Sequence, residues 1–264
     1  MTETYTHGHH ESVLRSHRWR TARNSAAFLL PHLTSGTTVL DVGCGPGTIT
    51  IDLARLVTPG RVTGIDADGD VLNAAREEAT RQNVSNVTFQ VGSVYELGDR
   101  AFDVVHAHQV LQHLSDPVAA LREMGRVAGE HGLVAVRDAD YAAMSWYPDS
   151  PTLDRWRELV REVTLANGGQ PDAGRRLPAW ARSAGFGRIE AGASVWCFAK
   201  PEDRRWWAGS WAERVVASSL AETGVRLGLA SRAELEAMAT AWQEWADHPD
   251  GWFAVVHGEV LARR

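Results

Sequence analysis

The chain has few cysteines, no long hydrophobic run and no excess of positive charge. Its two cysteines, Cys44 and Cys197, cannot form a disulfide framework, so we expect a reducing, cytoplasmic setting. It has no run of about 18 apolar residues and no apolar leader, so neither a transmembrane helix nor a signal segment is expected. The net charge of −6 gives no general attraction to nucleic acid or membranes, so neither is an expected partner.

Tryptophan is missing from one continuous part of the chain. None of the 11 tryptophans lies between Arg20 and Ser145; they are Trp19 and residues from Trp146 to Trp252. This distribution predicts a central unit without tryptophan and surrounding segments rich in it. The tryptophans either anchor the core of these added segments or line an apolar or aromatic cavity, and both interpretations remain open.

Between residues 38 and 138 the sequence alternates short apolar runs with segments of helical spacing. The expected strands are residues 38–42, 61–66, 87–91, 102–106 and 133–137. Helices are expected from residue 48, over 68–82 and over 116–128, where Asp116 can cap the first turn and Pro117 suits it. This alternation is typical of a parallel sheet with helices on both faces.

The flanking regions follow a different pattern. Residues 12–33 have apolar side chains at helical spacing and predict a helix that Pro31 kinks or ends. After residue 138 the expected helices are 153–166, 175–184, 202–222 and 233–247, and the expected strands are 188–199 and 252–261.

Residues 39–47 carry the most informative motif. An apolar strand, Val39 to Val42, leads into Gly43, Gly45 and Gly47, and helical spacing resumes at Thr48. Because glycine lacks a Cβ, such a backbone can turn sharply and approach a ligand closely. A strand, a glycine turn and a helix N-terminus together form a cradle for a nucleoside cofactor.

A dinucleotide oxidoreductase is the first alternative that this motif raises. Its fingerprint is Gly-x-Gly-x-x-Gly, whose third glycine lets helix and strand pack closely. Here the glycines stand at every second position, and Thr48 occupies the place of the third glycine. The spacing therefore favours another nucleoside cofactor, with the oxidoreductase retained as an alternative.

Further motifs give the chain a family resemblance over residues 38–138. They are Asp41 to Gly47, Gly64-Ile65-Asp66, Gly92-Ser93, Phe102 to Val105 and His108 to Leu114. Together they resemble the class I S-adenosylmethionine (SAM) methyltransferases of type 11, which include enzymes of quinone biosynthesis and of natural-product (secondary) metabolism. The resemblance implies an α/β fold, a Rossmann-like, doubly wound, seven-stranded and mostly parallel sheet with helical lid insertions.

The resemblance also implies a division of the chain into segments. These are an N-terminal helical lid (1–37), a SAM-binding core (38–138), an acceptor-side insert (139–172), a core helix and strand (173–200), a second helical lid (201–247) and a final core strand (248–264).

By this resemblance, the core residues would bind SAM. Asp66 would accept both ribose hydroxyls, unless it merely caps the helix that starts near Asp68. Asp41 would organise the glycine loop and reach toward the methionine end, or serve only as a turn residue. Ser93 stands where relatives often carry aspartate, so the backbone of Val94 would share the adenine contact. The full expected set is Asp41, Gly43, Cys44, Gly45, Asp66, Ala67, Ser93, Val94 and His108, with Cys44 as a small filler.

The acceptor site is expected where the fifth strand ends. SAM carries an activated methyl group, so positioning can supply on the order of 7–11 kcal/mol, and a base is needed only where the acceptor must lose a proton. The candidate catalytic residues are Asp138, Asp140, Tyr141 and His113, although His113 also suits a structural role. The candidate acceptor-binding residues are His17, Trp19, Trp146, Tyr147, Arg175 and Trp206. On the N-terminal segment, His17, Arg18, Arg20 and Arg23 are candidates for contacts with either the SAM carboxylate or the acceptor. For these arginines and for Arg175, a solvated helix face is the alternative.

His106, His108 and His113 are close in sequence, but the resemblance implies no metal there and none is expected. His7, His9 and His10 are expected to belong to a mobile tail. The expected partner is a small-molecule methyl acceptor, and a homo-oligomer is left open.

The resulting hypothesis is a methyltransferase acting on an aromatic or apolar metabolite, such as an indole carbon of a tryptophan-derived natural product. The alternatives are a quinone or phenol methyltransferase, a nucleotide-binding oxidoreductase, and a SAM-binding module without catalysis.

Overall fold

A computed structural model of the chain describes residues 11–99 and 101–264, so His7, His9 and His10 lie outside the described residues. The described residues form one eight-stranded sheet and ten α-helices. The strands are β1 (Val39–Val42), β2 (Val62–Asp66), β3 (Val87–Val91), β4 (Val104–His108), β5 (Leu133–Ala139), β6 (Ser145–Tyr147), β7 (Arg188–Phe198) and β8 (Trp252–Arg263). The helices are α1 (Glu11–Arg18), α2 (Ala22–Ser25), α3 (Thr48–Val57), α4 (Gly69–Arg81), α5 (Pro117–Ala128), α6 (Pro151–Ala166), α7 (Leu177–Ala184), α8 (Pro201–Ala217), α9 (Ser219–Arg226) and α10 (Arg232–Asp247).

The strand order confirms the expected doubly wound sheet. Strands β3, β2, β1, β4 and β5 are neighbours in that order and run parallel. Strand β8 then pairs antiparallel with β5 on one side and with β7 on the other. Seven of the strands match the expectation, and the short β6 is an addition that extends the β5 side of β8.

Local sequence explains where the core helices begin. The Asp116 carboxylate accepts the backbone N–H of Ala119, and Pro117 occupies the first turn of α5, as predicted. Asp68 caps α4 in the same way by accepting the N–H of Asp70. Strands β1, β4 and β5 are buried along their whole length, as expected for a sheet covered on both faces.

The single helix expected over residues 12–33 is wrong. Helix α1 ends at Arg18, and Thr21 adopts an extended backbone that caps the short α2 through a capping box with Asn24. Pro31 falls in a separate 3₁₀ turn. The break has a consequence for the site, because it turns Trp19 and Arg20 toward the interior cavity.

The C-terminal helices pack around a second core made of tryptophan. Trp156 of α6 lies at its centre, with ring centroids 4.6 Å from Trp211 and 4.8 Å from Trp242 in edge-to-face contacts. The helix expected over 202–222 is divided at Ser218, whose extended backbone starts α9. In residues 11–99 and 101–264, no helix combines the length and apolar character needed to cross a bilayer.

Candidate functional site

A cavity of about 220 Å³ lies at the carboxyl ends of the parallel strands. Asp41 of β1, Asp66 of β2, His108 of β4 and Ala139 of β5 all line it. Ligands of doubly wound sheets bind at this edge. Helices α1 and α8 close the opposite side, so the cavity runs from the glycine loop to tryptophan side chains.

The loop backbone requires glycine. Gly43, Gly45 and Gly47 have φ values of +65°, +53° and +79°, a left-handed conformation that other residues adopt at a cost. A Cβ on Gly43 would lie 2.4 Å from a methyl carbon of Val110. A Cβ on Gly45 would meet only the His17 ring, at 3.8 Å, on the cavity side. The loop therefore presents bare backbone to the cavity, which suits the nucleoside cradle expected from the sequence.

Asp66 is oriented by backbone N–H groups. One carboxylate oxygen accepts the N–H of Gly45 at 2.9 Å, and the other accepts the N–H of Asp68 at 3.1 Å. The cap of α4 belongs to Asp68. The capping interpretation of Asp66 is therefore wrong, and its carboxylate lies on the cavity wall beside the glycine loop.

Asp41 links helix α3, which follows the glycine loop, to the sheet. Its buried carboxylate accepts the Thr50 hydroxyl at 2.6 Å and contacts Nδ1 of His106 at 2.7 Å. These bonds tie β1, α3 and β4 together at the cavity wall. Across the described residues, no group of three or more His, Cys, Asp or Glu side chains is arranged to hold a metal ion.

Cys44 fills space within the loop. Burial, reinforced by the charges of Asp41 and Asp66, raises the pKa of its thiol far above the ordinary value. The thiol therefore stays protonated and is a poor nucleophile, in agreement with its interpretation as a filler.

Three expected cofactor residues do not line the cavity. Ala67 is exposed, Val94 is buried in the hydrophobic core, and the Ser93 hydroxyl accepts the N–H of Tyr95 at 3.2 Å. The segment after β3 folds back on itself through a bridge between Ser93 and Glu96. Ala67, Ser93 and Val94 are therefore not among the residues that line the cavity, where contacts with the cofactor were expected.

Asp140 and Arg175 face each other instead of the cavity. Two guanidinium nitrogens of Arg175 donate to the carboxylate of Asp140, at 2.5 and 2.6 Å. Neither residue lines the cavity, and Asp140 also accepts the N–H of Ala143. The expectation of a catalytic Asp140 and an acceptor-binding Arg175 is therefore not met, because each neutralises the other.

Asp138 also lies away from the cavity wall. It is completely buried, and one oxygen accepts the backbone N–H of Gln112 at 3.0 Å. Burial raises the pKa of its carboxyl group to about 7. Asp138 thus holds the 3₁₀ turn Leu111–His113 in place, and that turn lines the cavity.

His113 lines the cavity, but its geometry makes it a poor base. The side-chain oxygen of Gln112 accepts the N–H of Ala139 at 3.1 Å, so the amide nitrogen of Gln112 donates to Nε2 of His113 at 3.0 Å. Burial, with the nearby charge of Arg20, lowers the pKa of His113 to about 3. Among the four catalytic candidates, only Tyr141 lines the cavity without this objection.

The expected aromatic wall is partly correct. His17 and Trp19 line the cavity. Trp146 instead stacks on Phe253, with centroids 5.5 Å apart, and Tyr147 is exposed. Trp206 packs against Trp19 from outside the cavity.

Other side chains that the sequence analysis missed complete the wall. Trp207, Trp211 and Arg214 of α8 line the cavity, together with Trp196 of β7. The spacing of Trp207, Trp211 and Arg214 places them on one helix face, and this periodicity was the available signal. Arg214 donates to the Ser16 hydroxyl at 3.0 Å and lies over the Trp211 ring at 4.4 Å.

Comparisons with known proteins identify the family of the chain and agree with its fold. A family model described as a methyltransferase domain matches residues 33–185. An uncharacterized methyltransferase of Schizosaccharomyces pombe is 34% identical over 98% of this chain and 96% of that protein. The demethylmenaquinone methyltransferase of Listeria monocytogenes is 32% identical over 54% of this chain and 56% of that protein.

The solved structures that resemble this chain include phosphoethanolamine N-methyltransferase 2 of Haemonchus contortus, in complex with phosphomonomethylethanolamine and S-adenosylhomocysteine. Its sequence is 17% identical to this chain, and the match covers 88% of this chain and 50% of that one. The TM-score of 0.55 shows that the two proteins share a fold. The fold is a doubly wound sheet whose glycine loop borders a cavity at the carboxyl ends of the parallel strands. The family match adds that the chain belongs to the methyltransferase-domain family, so the expectation of a methyltransferase is confirmed.

Proposed function

We propose that the chain transfers a methyl group from SAM to a small aromatic or apolar molecule. The observation that carries this proposal is the continuous cavity, which joins the glycine loop and Asp66 to the side chains of Trp207 and Trp211. A cofactor at the first end and a flat apolar molecule at the second would share one continuous cavity.

The loop residues fit the nucleoside part of SAM. Gly43 and Gly45 present backbone, and Asp66 is already oriented by two N–H donors, while each carboxylate oxygen can accept further hydrogen bonds. Two ribose hydroxyls match this acceptor. When bound, SAM supplies a methyl group on a positively charged sulfur, so the reaction needs positioning more than additional chemistry.

The opposite end of the cavity suits an aromatic acceptor. Tyr141, Met144, Trp207 and Trp211 form its wall, and planar rings pack well against such side chains. The preferred acceptor is an indole carbon of a tryptophan-derived metabolite. A quinone or phenol is the second candidate, favoured by the similarity to a demethylmenaquinone methyltransferase over about half of the chain.

If the acceptor must lose a proton, Tyr141 is the proposed group that relays it, since its hydroxyl can accept one hydrogen bond while donating its own proton onward. The aspartates expected for this role are tied to the backbone (Asp138) or to Arg175 (Asp140), away from the cavity. The segments 1–37, 139–172 and 201–247 remain proposed lids, since each contributes residues to the wall or stands beside it.

Two neighbouring carboxylates allow a matched test. Asp66→Ala removes the acceptor on the cavity wall, and we expect it to weaken S-adenosylhomocysteine binding by about tenfold or more. Asp68→Ala removes the cap of α4, so it should cost about 1 kcal/mol of stability and leave binding within about threefold. Isothermal titration calorimetry measures the affinity of both variants, and thermal unfolding measures their stability. Equal binding by the wild-type chain and the Asp66 variant would remove Asp66 from the site.

The acceptor is found by a methyl-transfer screen. Tritium-labelled SAM, incubated with the protein and small-molecule cell extract, should yield a labelled aromatic product that mass spectrometry identifies. S-adenosylhomocysteine binding without any labelled product, across extracts and a panel of indoles, phenols and quinols, would favour a SAM-binding module without catalysis.

A further inference from the structure

His108 is a buried histidine on the cavity wall whose two ring nitrogens have different surroundings. Its Nδ1 faces a guanidinium nitrogen of Arg137 at 3.4 Å. Its Nε2 is buried and has no hydrogen-bond partner among residues 11–99 and 101–264. Arg137 lies behind the wall, whereas the His108 ring contributes to it. A buried polar atom of this kind normally has a partner, so the missing one is expected from a ligand.

The protonation of His108 follows from its neighbour. A guanidinium group can only donate hydrogen bonds, so the nitrogen that faces it must present its lone pair. The proton of the neutral ring is then on Nε2. Burial, followed by the charges of Arg137 and Arg20, holds the pKa of His108 well below its usual value, which agrees with a neutral ring.

A second arginine orders the adjacent residues by the same rule. Arg20 donates to the side-chain oxygen of Gln109 at 2.6 Å, so the amide nitrogen of Gln109 donates to Nε2 of His257 at 2.8 Å. Nδ1 of His257 then donates to the carbonyl of Val255 at 3.1 Å. His257 is thereby satisfied within the protein, and His108 keeps an N–H for a ligand.

We infer that Arg137 is a positioning residue that fixes His108 as an N–H donor toward a carboxylate of a molecule bound in the cavity. Arg137 is itself held by Glu259 at 3.2 Å and by Ser194 at 3.0 Å, and it lies 4.9 Å from the Trp196 ring centroid. These contacts prevent it from turning away from His108.

The charge around His108 determines which kind of ligand oxygen is favoured as the acceptor of its N–H. Arg20 lines the cavity next to His108, and Arg137 stands behind the ring. The charge of Arg137 is largely offset by its ion pair with Glu259, so Arg20 on the cavity wall supplies most of the positive charge. In a buried setting this charge favours an anionic oxygen over a neutral one and disfavours a cationic group. Under the proposed function, two molecules could bring a carboxylate here: the amino-acid part of SAM, or an acidic methyl acceptor.

The first test reads the ring directly and needs no variant of Arg137. In protein labelled with ¹⁵N-histidine, two-bond ¹H–¹⁵N correlation spectra distinguish an Nε2–H ring from an Nδ1–H ring or an imidazolium. The His108 signals are those that disappear in His108→Gln. An Nε2–H ring near neutral pH is expected, and an Nδ1–H ring or an imidazolium would overturn the inference.

The role of Arg137 is isolated by a pair of variants. Glu259→Gln retains the contact between Arg137 and His108 and should keep the Nε2–H ring. Glu259→Gln combined with Arg137→Met removes the guanidinium without leaving a buried carboxylate unpaired, and the ring should become a mixture of tautomers or protonate. An unchanged Nε2–H ring in a folded double variant would show that Arg137 does not position it.

The second test uses probes with and without a carboxylate. S-adenosylhomocysteine is compared with 5′-methylthioadenosine, and indole-3-acetate with 3-methylindole, by calorimetry on the wild-type chain, His108→Leu and His108→Gln. We expect His108→Leu to weaken a carboxylate-bearing probe by about tenfold, with the glutamine variant recovering most of it, and to leave its carboxylate-free partner unchanged.

The pair that shows this contrast identifies the source of the carboxylate. No loss for either acid, or equal losses within both pairs, would overturn the inference. If the wild-type chain binds no S-adenosylhomocysteine, the proposed function fails instead, whereas the ring spectra still report on His108.

Discussion

Replacing Asp138 with asparagine separates a structural role from a catalytic one. Asp138 was expected to act as a base, but it is completely buried and accepts the N–H of Gln112 through one oxygen. Asparagine keeps an oxygen for this bond and removes the charge. A structural role therefore predicts that the variant still binds S-adenosylhomocysteine and that its stability depends less on pH.

The magnitude follows from the pKa of Asp138, which burial raises from 3.8 to about 7. The folded chain holds the proton of Asp138 more tightly than the unfolded chain does. The protonated carboxyl group therefore makes its full contribution to stability below a pH of 3.8. This contribution is lost progressively as the pH rises from the unfolded pKa of 3.8 through about 7. Between about pH 5 and pH 8, the wild-type chain should therefore lose about 2.5 kcal/mol more than the Asp138→Asn variant.

Urea unfolding followed by tryptophan fluorescence at both pH values measures this difference. The pH-independent cost of the new amide group cancels in the comparison, as do the other titrating groups that both chains share. Asp149→Asn, at an exposed position, is the control and should behave like the wild-type chain. Parallel pH dependences for the wild-type chain and the Asp138 variant would refute the account of a buried, proton-binding carboxyl group.

The remaining predictions concern the loop and the Asp140 pair. Gly43→Ala should abolish S-adenosylhomocysteine binding or destabilise the fold, since its Cβ would meet Val110 at 2.4 Å, whereas Gly98→Ala should cost only about 1–2 kcal/mol because its left-handed position is otherwise open. If the Gly43 and Gly98 variants lost the same stability in thermal unfolding and the same affinity in calorimetry, this prediction would be contradicted. Arg175→Ala should cost about 1–3 kcal/mol by leaving Asp140 unpaired, yet leave S-adenosylhomocysteine affinity unchanged. Weakened binding would place Arg175 in the site after all.

The sheet and the cofactor end of the cavity could be predicted because their determinants are local. The spacing of Gly43, Gly45 and Gly47 indicates a loop with left-handed backbone at the glycines, and Asp66 ends strand β2. Both features could therefore be located from the sequence. Asp116 and Pro117 likewise marked the start of α5. In each case a few neighbouring residues determine the backbone.

The acceptor end could not be predicted in the same way. Whether a tryptophan lines the cavity or fills the core depends on how α6, α8 and α10 pack, and all three contribute buried tryptophans. Asp140 was expected as a catalytic residue because it follows β5, but its partner Arg175 lies 35 positions away in sequence. The break after α1 was missed because apolar spacing continues through Thr21, whose cap depends on Asn24.

The most direct test of the central claim is a pair of calorimetric titrations of the wild-type chain, one with SAM and one with NAD. The continuous cavity behind the glycine loop predicts saturable binding of one SAM per chain and no binding of NAD. Tight binding of NAD without binding of SAM would contradict the account and favour the oxidoreductase alternative.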